Sequence, residues 1–304
     1  MRLRTLLCSA LALCCTPALW AAAAQQVWAP GVSDKTGWYD YNKQVQEGDY
    51  MGDTGLCWAY SASNVISWWQ AQNADTLTAS GVNVPQNEQI VKTFIGVFKN
   101  VGCWPSAAYE WYIKGGEDCE LNKNADSYKD YGVLDLKDTS EVAMQLGLTG
   151  FDIKDLAEGG ILKDVFKDST TIIFGVYYKN NPFAFAEKII QAIKDGYALR
   201  LSVDVNHAYT LWGVEYEETD KGLMITKAWI TDSDDVNNTG SGLVEKKIAY
   251  SEKEGASGLY FDENFGAVWE NLAGIRTTNV IPEPGTATLT LMALAGLALR
   301  RRRS

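Results

Sequence analysis

The segment Leu56-Cys57-Trp58-Ala59-Tyr60-Ser61-Ala62-Ser63-Asn64-Val65-Ile66-Ser67-Trp68-Trp69 constrains the fold most, because Trp58, Ala62, Val65, Ile66 and Trp69 recur at spacings of three and four. That period places them on one stripe of an amphipathic helix. Asp53, Thr54 and Gly55 suit the start or cap of such a helix, so Cys57 falls in its first turn. The last third follows a different period. A helical pattern over Ala186–Asp195 ends at Gly196, after which Leu199, Leu201, Val203 and Val205 alternate as a strand. His207–Tyr216 and Met224–Thr231 continue that pattern, and Lys246–Tyr250 and Gly258–Phe261 read as further short strands. A helix-rich half followed by an antiparallel sheet defines an α+β chain. Between about Asn73 and Asn180, short helical patterns alternate with Gly- and Asp-rich loops without an internal repeat, and their order in space is not legible.

Composition narrows the chemistry. With 46% hydrophobic and 21% charged residues over 304 positions, the chain has the apolar share of a globular protein and is not disordered, collagen-like or a coiled coil. It contains one histidine, His207, which excludes every mechanism that needs two or three imidazoles. A net charge of -11 disfavours non-specific binding to nucleic acid or to an anionic membrane.

Both ends read as segments outside the working fold. Arg2 and Arg4, an apolar run from Leu6 to Leu13 and the small residues Ala21–Ala24 form the pattern of a signal peptide over residues 1–24. A lipoprotein reading with Cys14 or Cys15 as the modified residue is weaker, because the large Leu13 stands where a small residue is needed. At the other end, Pro282-Glu283-Pro284 precedes an apolar stretch from Leu289 to Leu299 and the cluster Arg300–Arg303. Read alone, this is a short membrane anchor with its arginines on the cytoplasmic side. It resembles the PEP-CTERM sorting signal of exported bacterial proteins. That resemblance implies transient inner-membrane contact through residues 281–304, a sorting peptidase as partner, and a secreted or envelope-associated product. Removing both ends leaves 21 cations against 37 acids, a net charge of -16, and a single domain over residues 25–280, expected to be a monomer. Cys8, Cys14 and Cys15 leave with the signal peptide, so Cys57, Cys103 and Cys119 remain. An odd count in an exported protein suggests one pair and one free thiol, and Cys103 and Cys119 are near enough in sequence to bridge.

A thiol attacks a carbonyl as the thiolate, which a helix N-terminus and a neighbouring imidazolium both favour. Cys57 has the first by local pattern, and His207 is the one residue able to supply the second. A third group must orient the imidazole. Asp232 and Asp234, in Thr231-Asp232-Ser233-Asp234 at the end of the next strand, are placed for that role if His207 opens its own strand. Taken singly, each has an ordinary explanation: a buried cysteine beside tryptophans, a packed histidine, a turn rich in aspartate. The joint order of Cys, His and Asp on a helix and two successive strands, a papain-like arrangement, argues for the site. A zinc site of three cysteines and His207 lacks any Cys-x-x-Cys spacing. A calcium loop at Asp232, Asp234 and Asp235 lacks the glycine and distal glutamate it would need. No cofactor or metal is expected.

Several separated blocks carry a family resemblance. Gly37-Trp38-Tyr39-Asp40-Tyr41-Asn42-Lys43, Leu56-Cys57-Trp58-Ala59, Trp68-Trp69-Gln70-Ala71-Gln72-Asn73, Asn206-His207-Ala208-Tyr209-Thr210-Leu211-Trp212-Gly213 and Thr231-Asp232-Ser233-Asp234 occur in this order. Together they resemble the IdeS/Mac family of secreted immunoglobulin-degrading cysteine endopeptidases. Between about Leu77 and Asn180 the likeness is faint, with Gly159-Gly160-Ile161 and Asp164-Val165-Phe166 its best fragments. The resemblance implies a papain-like cysteine protease fold, in which an N-terminal helix carries the nucleophile and packs on a C-terminal antiparallel sheet carrying His and Asp. It further implies Cys57 as nucleophile, His207 as general base, Asp232 as the acid orienting the histidine and Asp234 as a second supporting acid. Lys43 resembles the family's oxyanion-stabilising lysine, with the Cys57 backbone N–H as the other donor. The implied substrate is a protein, with immunoglobulin the class the family suggests. Two other functions fit the same residues: an acyl transferase of transglutaminase or amidase type, and a non-catalytic envelope binding module.

Overall fold

A computed structural model of the chain describes residues 24–43, 55–98, 105–115, 159–166, 172–173, 181–203, 207–234, 242–253, 257–261 and 268–276. The signal and sorting segments, apart from Ala24, lie outside these residues, as do Cys103, Cys119 and most of the middle region. Among the described residues the elements are β1 (Gln25–Trp28), α1 (Cys57–Gln72), α2 (Ala74–Ser80), α3 (Glu88–Phe98), α4 (Pro105–Ile113), α5 (Lys163–Phe166), β2 (Ile172–Ile173) and α6 (Pro182–Lys194). They continue with β3 (Tyr197–Val203), β4 (His207–Thr219), β5 (Gly222–Asp232), β6 (Val244–Ser251), β7 (Gly258–Phe261) and β8 (Trp269–Arg276). The protein is α+β, as its two sequence periods indicate.

The strands form one antiparallel sheet in the order β2-β8-β3-β4-β5-β6-β7, and β1 also pairs with β4. One edge of β4 is shared. Its first half pairs with β3, from His207 opposite Val203 to Leu211 opposite Leu199, and its second half with β1, from Gly213 opposite Trp28 to Tyr216 opposite Gln25. Gly213 is glycine for a steric reason, since a Cβ there would lie 2.6 Å from the Trp28 ring. That ring packs on Trp229 with centroids 4.4 Å apart.

Helices cover both faces of this sheet. Ala198, Trp212, Ala273 and Ile275 point into a core shared with α1, α3 and α4. Leu199, Leu201, Leu211, Val214 and Leu272 point into a second core closed by α6. The alternation in β3 therefore reports two apolar layers and not one wet face, and all seven of its residues are buried. The stripe expected on α1 needs a similar correction. Every residue from Trp58 to Gln70 is buried, the polar ones included. The reason is its neighbours: α3 packs against α1, and α4 packs both against α1 and against β2 and β8, with Phe94 packed edge-on to Trp58 at 5.6 Å and against Trp111 at 5.3 Å.

Candidate active site

Helix α1 begins at Cys57 with Leu56 as its N-cap residue, and no side chain caps it. Asp53 and Thr54, the expected caps, lie outside the described residues. Cys57 occupies the positive end of the helix dipole, where an anion is stabilised. His207 is the first residue of β4, and Asp232 is the last of β5. Because β4 and β5 run antiparallel with Tyr209 opposite Asp232, the two strand ends meet, and the imidazole and carboxylate fall on one face.

The geometry is close. His207 Nε2 is 2.7 Å from Asp232 Oδ1, and Asp232 Oδ1 also accepts the Asp234 backbone N–H at 3.0 Å, which fixes the carboxylate. The His207 ring stands edge-on to Tyr209 with centroids 4.6 Å apart. A hydrogen bond joins the imidazole to the Cys57 side chain, and with Nε2 committed to Asp232 the nitrogen left for it is Nδ1. Asp234 Oδ2 is 3.6 Å from that Nδ1, and Asp234 Oδ1 is 2.7 Å from Lys43 Nζ. Lys43 is itself buried, and its backbone N–H donates to Ser233 O at 2.8 Å. Cys57, His207, Asp232, Asp234 and Lys43, singled out from distant parts of the sequence, thus come together in one cluster.

Electrostatics at this cluster favour charge separation. Burial pushes the Cys57 thiol up, but the hydrogen bond from His207 and the charges of His207, Lys43 and Arg200 outweigh it and hold the thiol below its ordinary value. Burial pushes His207 down, but its hydrogen bonds to Asp232 and Cys57 and their charges raise it to about 9. Both shifts favour the proton on the imidazole and the negative charge on sulfur. His207, Asp232 and Asp234 each offer a donor atom within 4.8 Å of the others, a set that could also hold a cation. Here the Lys43 ammonium already supplies positive charge to Asp234.

Arg200 is the contributor that sequence reasoning missed. It lies in β3, 3% exposed, directly across from Thr210 in β4 and Ala273 in β8, on the face that packs against α1. Its charge reaches the Cys57 thiol and the buried Tyr109 hydroxyl. In sequence it looks like the outward step between Leu199 and Leu201. Nothing in the alternating pattern marked it as buried.

The cluster thus joins a helix-borne thiol to a strand-borne imidazole with carboxylates behind it. The family model described as Mac-1 (Mac 1) matches residues 26–99 and 140–273, and the chain belongs to this family, the IdeS/Mac family. It is 26% identical over 226 residues to a protein named IgM protease from Streptococcus suis (strain P1/7). That match covers 66% of this chain and 18% of the relative, so the chain spans less than a fifth of the relative's length. The family and this relative support a protease-like function.

Proposed function

We propose that the protein is a cysteine endopeptidase of papain-like fold, with Cys57 as nucleophile, His207 as its acid–base partner and Asp232 as the orienting acid. The observation that carries the reading is the continuous chain of hydrogen bonds from Cys57 at the start of α1 through His207 to Asp232 at 2.7 Å. In the resting pair the two shifts favour the Cys57 thiolate. It attacks the scissile carbonyl carbon, and the C=O π electrons move to oxygen. The Cys57 backbone N–H and Lys43 stabilise that oxyanion. Lys43 has three N–H donors, so engagement with Asp234 leaves donors for the oxyanion. The imidazolium gives its proton to the departing amine, leaving a thioester. Neutral His207 then takes a proton from water as that water attacks the thioester, and collapse of the tetrahedral intermediate releases the carboxylic acid and expels the Cys57 thiolate, restoring the imidazolium–thiolate pair. Asp234, bridging His207 and Lys43, keeps both cations beside the reacting atoms.

The substrate is a protein, and the relative's name makes immunoglobulin the class to test first. Export fits that substrate: residues 1–24 read as a signal peptide and 281–304 as a sorting segment removed at the inner membrane. The test is to incubate residues 25–280, and the same region carrying Cys57→Ala, with a panel of secreted proteins that includes immunoglobulins M and G. New N-termini are then mapped by mass spectrometry. The proposal expects new termini with the native protein and none with Cys57→Ala. Cleavage that persists without the thiol contradicts it, and amine incorporation without cleavage replaces it with an acyl transferase.

A further inference from the structure

Seven residues after Cys57, and so two turns along the same side of α1, the Asn64 side chain is buried at 1% exposure with partners on three other segments. Its Oδ1 accepts the Tyr41 backbone N–H at 2.9 Å, two residues before Lys43. Its Nδ2 donates to Thr210 Oγ1 at 3.0 Å, three residues after His207, and to Thr231 Oγ1 at 3.5 Å, one residue before Asp232. One amide therefore touches every segment that supplies a group to the cluster.

The two threonine hydroxyls extend this hub. Thr210 Oγ1 donates to Ser61 O at 3.4 Å, one turn beyond Cys57, which ties β4 to α1 a second time. Thr231 Oγ1 donates its hydrogen to Tyr39 O at 2.9 Å and accepts from Trp212 Nε1 at 3.0 Å as well as from Asn64. A hydroxyl has one hydrogen and two lone pairs, so Thr231 is saturated. Both threonines are fully buried.

We propose that Asn64 is a positioning residue for the reaction, setting the register of the Cys57 helix against the strands of His207 and Asp232 and the Lys43 segment. The physical reason is directionality. The aromatic and aliphatic contacts around α1 are non-directional and tolerate sliding, whereas a hydrogen bond loses its strength over a few tenths of an ångström and a few tens of degrees. A productive constellation must be held to within about 0.5 Å. Tryptophans that bury α1 supply the free energy of docking, and the Asn64 hub supplies the register. This also accounts for a helix interior that keeps an asparagine where an apolar residue would pack as well.

The inference rests on the proposed role of Cys57, and its test separates the two. Asn64→Ala, Thr210→Val and Thr210→Ser are each compared with the native protein by thermal melting, by the pH dependence of iodoacetamide alkylation at Cys57, and by kcat and KM on a cleaved protein substrate. Asn64→Ala and Thr210→Val should move the alkylation midpoint up toward that of an ordinary thiol and lower kcat by about tenfold or more, as sub-ångström misplacement does, with KM within about twofold. Thr210→Ser, which keeps the hydroxyl, should restore both. Thr210→Val keeps the shape of the side chain and decides the matter if Asn64→Ala does not fold. A folded Thr210→Val protein with a lower melting temperature but a native alkylation profile and native kcat overturns the proposal and leaves Asn64 a purely structural residue. Failure of the underlying reading looks different, because the native protein itself would then show an ordinary thiol at Cys57.

Discussion

The helices α1 and α6 pack on opposite faces of the same sheet and solve the same problem differently. In α6, Phe185, Ala186, Ile189, Ile190, Ala192 and Ile193 are buried while Glu187, Lys188, Gln191 and Lys194 are exposed. Its N-cap residue Asn181 accepts the Ala184 N–H at 2.9 Å, and Pro182 occupies the first turn. Its burial follows its sequence period. Helix α1 is buried on all sides and spends its polar residues inward: Ser63 bonds to Ala59 O at 2.7 Å, Gln70 Nε2 to Tyr112 Oη at 3.3 Å, and Asn64 to the hub. A helix that only has to cover a sheet can be amphipathic. One that must hold a nucleophile at a set position carries directional bonds in its interior.

This contrast can be broken. The largest effect is expected from Ile189→Ala in α6, which removes a fully buried side chain and should cost about 2–5 kcal/mol in denaturant unfolding. Alkylation of Cys57 should keep its native pH profile in the folded variant. A shifted profile would mean that α6 also positions the site, and the division between the helices would fail. Smaller is Asn181→Ala, where loss of the α6 cap should cost about 1 kcal/mol, again without effect on the thiol. An effect of Asn181→Ala on Cys57 reactivity would likewise count against the contrast.

Much of the architecture was legible because it rests on periodicity. The start of α1 at Cys57, helix α6, and strands β3 to β7 follow from spacing alone, with boundaries moved by a few residues. β1 and β8 were not legible, for physical reasons. Gln25–Trp28 is a four-residue strand without alternation, whose partner lies far along the chain in β4. Trp269–Arg276 contains Gly274, which closely approaches the Ala198 carbonyl, and Glu270, which is buried. Neither residue type signals a central strand. Cys57, His207, Asp232 and Asp234 were legible from their chemistry and order, and Lys43 only through the family resemblance, while Arg200 and Asn64 were hidden. Both are polar residues facing inward in elements whose period suggested a polar outward face, and only the layers on both sides turn them into contributors.

The pair also sets a pH window whose sign can be worked out. His207 is held above its ordinary value of 6.5, at about 9, so the stabilisation it draws from Asp232 and the Cys57 thiolate is fully present below its unfolded-state value. That stabilisation is lost as pH rises through about 9. Cys57 is held below its ordinary value of 9.0, so the acid limb of activity should follow protonation of the thiolate and the alkaline limb deprotonation of the imidazolium.

The most direct test is the rate of iodoacetamide alkylation at Cys57 across pH, read on the Cys57 peptide by mass spectrometry, for the native protein and for His207→Ala. Alkylation should proceed below pH 9.0 in the native protein, with its midpoint moved up toward the ordinary thiol value when the imidazole is removed. A native midpoint at the ordinary thiol value, unchanged by His207→Ala, would contradict that expectation.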